Sequence, residues 1–295
     1  MSWSAWPAPA KLNLFLHIVG RRDDGYHLLQ TAFRLLDWGD TVHLRLRADD
    51  AIARVSPLPG VDPDDDLTLR AARLLRRQAG GALPGVDVRV DKRIPMGGGL
   101  GGGSSDAATT LVALNVLWGL GRGVDELADL GLELGADVPL FVRGRSAWAE
   151  GVGERLTPLE LAPCHYVIVD PHAHVSTQAL YTAPQLTRDA SPATIRAFLH
   201  GEVSGNAFEP VLRARSAPVA SALDWLRRFG PAALSGSGGC VFLATSTPEA
   251  AQRIAAACPA PFTAHVARGV NVSGLARAVE KFGASRDNAV SGVGQ

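Results

Sequence analysis

Cysteine is scarce in this 295-residue chain, and neither sign of charge is in excess. Cys164, Cys240 and Cys258 are odd in number and widely spaced, which excludes a disulfide framework and the paired ligands of a zinc site, so reduced thiols are expected. The 29 basic residues balance 29 acidic ones, removing the electrostatic case for a nucleic-acid or membrane-surface partner and leaving a small molecule as the expected one. Long apolar runs are missing too. None approaches the roughly 20 residues that cross a bilayer, and MSWSAWPAPAKLNLF has neither the cationic start nor the apolar stretch of a signal peptide. A cytoplasmic protein is expected, with no nucleic-acid partner and no membrane; monomer and homodimer both remain open. There is no internal repeat, and none of the eight histidines forms H-E-x-x-H.

What is present is enough chain for two domains. AKLNLFLHIVG alternates, with Leu12, Leu14, Leu16 and Ile18 on one face and Lys11, Asn13, Phe15 and His17 on the other, the period of a half-buried strand. DTVHLRLR alternates through Val42, Leu44 and Leu46, and AIARV is expected to pair with it after the Asp49-Asp50 turn. DLTLRAARLLRRQAGG has helical spacing that ends at Gly80, and GVDVRVDKRIP returns to alternation. VDELADLGLELG reads as a short helix capped by Asp125. From about residue 156 a continuous apolar strand, HYVIVDP, opens an α/β half with further helices and two strands, GCVFLAT and FTAHVARGV. The boundary falls between Arg145 and Pro163, with a strand such as SAWAEGVGERL able to cross it. We draw domains at 1–155 and 156–283, with 284–295 as a loose tail.

PMGGGLGGGSSDAATTLVALNVLW raises the sharpest question. Its glycines formally satisfy G-x-G-x-x-G, but the preceding strand alternates, unlike the buried parallel strand of a dinucleotide fold, and the acidic residues some 20 positions on begin a helix. No lysine follows the glycines, so it is not a P-loop. A flexible linker would not sit between a strand and a helix. A phosphate cradle accounts for all of it, because glycine lets backbone N–H groups approach an anion and the helix start adds its own unpaired N–H groups and dipole. Ser104, Ser105 and Asp106 suit the helix cap or first turn. The serine hydroxyls also suit a phosphate oxygen or Mg²⁺, and capping alone explains them equally.

The stretch P-M-G-G-G-L-G-G-G-S-S-D-A-A strongly resembles the phosphate-binding signature of the GHMP kinases. PAKLNLFLHIVGRRDDGYH and LSGSGGCVF fit the same superfamily, and LGADVPLFV completes a likeness that runs in order to about Arg277. The resemblance implies an α/β (α+β) chain of two domains with the active site in the cleft between them, ATP in the N-terminal one, and Mg²⁺. Its closest branch acts in the non-mevalonate, methylerythritol phosphate route to isoprenoids and implies transfer of the ATP γ-phosphoryl group to the 2-hydroxyl of a cytidine-diphosphate-linked methylerythritol. The alternative is another small-molecule kinase of the superfamily, with homoserine or mevalonate as acceptor.

Site residues follow from the matched positions. Asp137, which by itself reads as a cap or turn residue ahead of Pro139, with Val138 biased to extended geometry, is implied to be the base for the acceptor hydroxyl. Lys11, by itself a solvated strand lysine, is implied to stand beside it, favouring the carboxylate and offsetting charge on the moving phosphoryl group. ATP and its phosphates fall to Pro95, Met96, Gly97, Gly98, Gly99, Leu100, Gly101, Gly102, Gly103, Ser104 and Ser105. Asp66, Leu67 and Lys92 match the adenine pocket, although the family more often has asparagine where Asp66 stands, which puts a side-chain bond to adenine in doubt. Asn13, Tyr26, His27, Thr177 and Tyr181 fall to the substrate, with Tyr26 stacked on the cytosine, His27 on its edge and Tyr181 as the second ring. The metal ligand is unknown, with Ser105 the candidate. Residues 235–239 are placed either at the acceptor or in a plain tight turn.

Overall fold

The computed structural model describes residues 2–173 and 175–291, without the side chains of 283–291. Strands β1 (Ser4–Arg21) and β2 (His27–Leu46) form a long antiparallel pair from Ser4↔Leu44 to Arg21↔His27. The expected half-buried alternation of β1 does not form. Register shifts at Pro9/Lys11, Asn13/Leu16 and Ile18/Gly20 turn the strand, so that Leu12, Phe15 and Ile18 enter three different cores. Each bulge re-aims the side chains that follow it, and Lys11 and Asn13 end up buried rather than solvated.

After β3 (Ile52–Arg54) comes helix α1 (Leu67–Ala79), then β4 (Val86–Asp91). Strand β3 does not pair with β2 as expected. It runs parallel to β4, and β4 takes the antiparallel place beside β2. The buried Asp87 carboxylate fixes that register by accepting from Arg45 and Arg47, both on β2 or its end, at 2.6 Å each. Helices α2 (Gly102–Leu117), α3 (Val124–Leu132) and α4 (Val138–Arg143) join α1 in covering this sheet, with Leu75, Leu111, Leu114 and Phe141 meeting Val42, Leu44 and Val88 in one core. Helix α3 is capped at Gly123, whose N–H donates to Glu126 at 2.8 Å, not at Asp125. Strands β5 (Ala147–Glu150) and β6 (Arg155–Pro158) form a hairpin on the edge of β2, so the first sheet runs to Pro158 and the expected boundary falls inside this hairpin.

The second half runs β7 (His165–Asp170), α5 (Thr177–Tyr181), α6 (Ile195–Leu199), α7 (Glu209–Arg215), α8 (Ala217–Arg227), β8 (Ala233–Leu234), β9 (Val241–Thr245), α9 (Pro248–Ala256), β10 (Thr263–Val270) and α10 (Gly274–Ser291). Among the described residues the sheet order is β3-β4-β2-β10-β7-β9-β8, with β10 bridging the halves through Gly269↔Leu36 and Val270↔Leu35. Arg34 seals the seam. Fully buried, it donates to the carbonyls of Leu161, Ala162 and Gly269 and to Asn271 Oδ1. Helix α10 then returns to the first half, where Phe282 meets Trp6 at 5.2 Å. Its backbone stays helical through 284–291, where a loose tail was expected; residues 292–295 lie outside the described residues.

Candidate active site

The glycine stretch alternates into left-handed backbone at Gly97, Gly99 and Gly101, which L side chains rarely adopt. What a Cβ would meet there is largely protein. At Gly99 it would lie 2.0 Å from the Ser235 carbonyl, at Gly98 2.6 Å from Cys240 Sγ, and at Gly101 2.7 Å from Phe141 Cζ and 3.1 Å from Lys11 Cγ. The two glycine-rich loops are therefore pressed together. Cys240 N–H donates to Gly98 O at 3.1 Å, Ser235 Oγ to Gly99 O at 3.0 Å, and Lys11 N–H to Leu100 O at 3.0 Å. Gly98 N–H bonds to Pro95 O within the first loop. Of the two expected places, cap or first turn, Ser104 and Ser105 take the second: the N-cap of α2 is Gly101, and no side chain caps it. Ser105 Oγ is fully buried without a hydrogen-bond partner.

Lys11 Nζ stands at the meeting point of these elements. It pairs with Asp137 Oδ2 at 3.3 Å, donates to Asn13 Oδ1, and lies 5.2 Å from the centre of the Phe33 ring. Asn13 is fixed in turn by Thr31 Oγ1 at 3.0 Å. The second loop is close as well, since a Cβ at Gly236 would lie 3.3 Å from Lys11 Nζ. Asp137 is the N-cap of α4 but makes no cap hydrogen bond, so its carboxylate, 31% exposed, is free to face Lys11. Val138 is helical, not extended, because Pro139 sits in the first turn of α4, where its missing N–H and fixed φ cost nothing.

Beside the first loop lies a cavity of about 240 Å³ whose lining includes Leu58, Val61, Leu67, Lys92, Met96 and Gly103. Asp66 borders it, but its carboxylate is spent: Oδ1 caps α1 by accepting from Thr68 N–H and Oγ1, and Oδ2 pairs with Arg54 at 3.0 Å. Lys92 Nζ bonds to Asp40 and, at 2.8 Å, to Asp106 Oδ2. Burial works against the ammonium charge, yet Asp106 and Asp40 outweigh it and raise its pKa. The same burial, offset by Lys92 but reinforced by Asp40 and Asp66, pushes the Asp106 carboxyl up to about 7.

A second cavity, about 890 Å³, opens between Tyr26, His27, Ala136 and Tyr181, with Arg21 and Arg188 on its walls. It adjoins the Lys11–Asp137 pair through Ala136. Burial, with the Asp137 charge added, pushes the Tyr181 hydroxyl up to about 12. Tyr26 is 64% exposed on this cavity, whereas Tyr181 is stacked on His27, with ring centres 4.8 Å apart and planes at 29°. The expected pair of rings open for a base is thus closed on one side by His27. Thr177 is not on the lining. Its hydroxyl bonds to Ser237 Oγ at 3.1 Å, tying α5 to the second glycine loop. Arg188 was missed, since a lone arginine in QLTRDA carries no periodic or motif signal; Arg21 lies within PAKLNLFLHIVGRRDDGYH but was not singled out there. Asp106 was legible only as a first-turn residue.

Fold and loops together define a class. The family described as GHMP kinases N terminal domain matches residues 66–145, and GHMP kinases C terminal matches residues 190–264. A 4-diphosphocytidyl-2-C-methyl-D-erythritol kinase of Xanthomonas axonopodis pv. citri (strain 306) is 61% identical over 274 residues, covering 92% of each chain. The crystal structure of a 4-(cytidine 5'-diphospho)-2C-methyl-D-erythritol kinase superposes with TM-score 0.78 at 35% identity, over 90% of this chain and 99% of that one. A homoserine kinase from Cytophaga hutchinsonii shares the fold at TM-score 0.65 and 18% identity, over 92% and 96% of the two chains. The chain belongs to the 4-diphosphocytidyl-2-C-methyl-D-erythritol kinases.

Proposed function

We propose that the chain transfers the γ-phosphoryl group of ATP to the 2-hydroxyl of 4-diphosphocytidyl-2-C-methyl-D-erythritol, using the Lys11–Asp137 pair. The observation that carries this reading is the position of that pair, with the glycine loops on one side and the larger cavity on the other. The apolar lining of the smaller cavity suits adenine, and the first turn of α2 with Gly97–Gly103 suits the triphosphate. Gly98 and Gly99 serve by letting the two loops close on each other, and Gly101 by letting Phe141 and Lys11 approach; Gly97 and Gly103, bordering the cavity, leave room for the nucleotide.

Asp137 accepts the hydrogen bond, and then the proton, of the acceptor hydroxyl. Lys11 orients Asp137 through their ion pair and faces the charge that develops on the transferring group, with Asn13 fixing the ammonium. Because such a transition state is loose, placement and charge outweigh proton removal. Mg²⁺ supplies charge neutralisation on the triphosphate when bound. Among the described residues no group of three or more His, Cys, Asp or Glu is placed to hold a metal. The buried, unpartnered Ser105 hydroxyl fits a single protein ligand to an ion carried by the nucleotide phosphates. Tyr26 and His27 receive the cytosine, Tyr181 backs the His27 ring, and Arg21 brings positive charge to the same cavity.

Incubating the protein with ATP and each of the cytidyl substrate, mevalonate and homoserine, and following ADP release, tests the assignment. Turnover is expected with the first. Turnover of mevalonate or homoserine in its place would overturn it. No helix among the described residues is long and apolar enough to cross a membrane.

A further inference from the structure

The larger cavity holds a contact between two residues of one wall. Arg188 Nε–H donates to His27 Nε2 at 3.3 Å. The guanidinium does not owe its direction to His27, because its other nitrogens are anchored by the backbone: Nη1 to Leu186 O at 2.9 Å, and Nη2 to Tyr181 O and Ala183 O at 2.8 Å each. A guanidinium donates only. His27 Nε2 must therefore present its lone pair, and in a neutral imidazole the single proton then sits on Nδ1. Burial, then the positive charges of Arg188 and Arg21, hold the His27 pKa below its ordinary value and favour that neutral form. Stacking on Tyr181 fixes the ring plane. Orientation, tautomer and charge of one imidazole are all set before any ligand arrives.

We propose that Arg188 is a positioning residue for base selection: it holds His27 as the Nδ1–H tautomer, whose donated hydrogen bond to N3 of the substrate pyrimidine selects cytosine over uracil. This rests on the reading above that His27 meets the base. Cytosine N3 carries a lone pair, whereas uracil carries N3–H, so a donor-only nitrogen pairs with the first and opposes the second. Leaving that buried donor unpaired corresponds to roughly a 5- to 150-fold loss in kcat/KM. Were Nε2 protonated instead, Nδ1 would accept and the preference would reverse.

The test uses the full chain with imidazole-¹⁵N-labelled histidine, together with kinetics on the cytidyl substrate and its uridyl analogue. The ligand-free wild type is expected to show a protonated Nδ1 and a bare Nε2 at His27. Arg188→Gln is expected to mix the two tautomers and to bring the cytidyl-to-uridyl ratio of kcat/KM towards one, with KM for ATP unchanged. Arg188→Lys, which keeps a cation near the three carbonyls but no Nε–H, is expected to lose the ratio as well and serves if the glutamine variant fails to fold. A protonated Nε2 in the wild type, or an unchanged ratio in a folded Arg188 variant, overturns the role of Arg188 alone. An unchanged acceptor KM in His27→Ala removes the base contact itself, whatever the tautomer.

Discussion

Lys11 Nζ and Asp137 Oδ2 lie 3.3 Å apart, joining the first long strand to the start of α4. The lysine is almost wholly buried, while the aspartate is partly exposed and follows Ala136, which lines the larger cavity. Removing the ammonium leaves Asp137 and Asn13 without their shared cation. Lys11→Met is expected to lower kcat by roughly 10²- to 10³-fold, the usual effect of deleting one charge-stabilising group. Single-turnover measurement with saturating ATP checks this; a loss confined to KM for ATP would place Lys11 outside the chemistry.

Gly99 and Gly103 are expected to behave differently although both belong to the same run. Gly99 has φ +78° and its Cβ would strike backbone of the second loop, so Gly99→Ala should cost about 2–5 kcal/mol from left-handed strain and overpacking. Gly103 lies in the first turn of α2, and its Cβ would meet Leu67 Cδ1 at an ordinary 3.4 Å. Gly103→Ala should keep its melting temperature and lose ATP affinity instead. Equal melting losses in the two variants would refute this division of labour.

Tyr26 is well exposed, so its ring contributes little to folding. Tyr26→Ala should leave thermal stability unchanged and raise KM for the cytidyl substrate about 5- to 150-fold, the equivalent of the 1–3 kcal/mol of one base–aromatic stack. KM for ATP serves as the internal control and is expected to stay the same.

Asp106 gives the protein a pH dependence near neutrality. Burial raises its carboxyl from 3.8 to about 7, so the folded chain binds a proton that the unfolded chain has released. Its contribution to stability is therefore greatest below 3.8 and is lost as pH rises through about 7. Lys92, raised rather than lowered, stays charged across this window. Asp106→Asn removes the proton-linked part, so the stabilities of wild type and variant should diverge in the variant's favour as pH rises from about 4 to about 7 and run parallel above that. A difference independent of pH would show that Asp106 does not titrate there.

The glycine stretch, helix α1 with Gly80 at its end, and strand β4 were all legible, because each depends on short-range periodicity and punctuation. The faces of β1 were not. Three register shifts reassign its side chains, and nothing in AKLNLFLHIVG marks where the partner strand slips. The parallel pairing of β3 was hidden for a similar reason, since it depends on β4 arriving some 30 residues later. At the site, motif resemblance named Lys11 and Asp137, but not why Asp137 is free: that follows from a helix N-cap whose side chain makes no cap bond. The second glycine loop was legible as a turn, yet its fit against Gly98 and Gly99 is a tertiary fact. Arg188 acts through His27 from a loop with no pattern of its own, and only the folded chain brings them together.

The catalytic pairing is tested most directly by Asp137→Asn, which keeps the size of the side chain and removes its charge. Rapid-quench measurement of phosphoryl transfer from ATP to 4-diphosphocytidyl-2-C-methyl-D-erythritol, with ATP affinity measured on the same sample, should show a rate loss on the order of 10²- to 10⁴-fold and a near-normal dissociation constant. An unimpaired transfer rate in that variant would contradict the assignment of Asp137, and with it the reading of the Lys11–Asp137 pair as the site of chemistry.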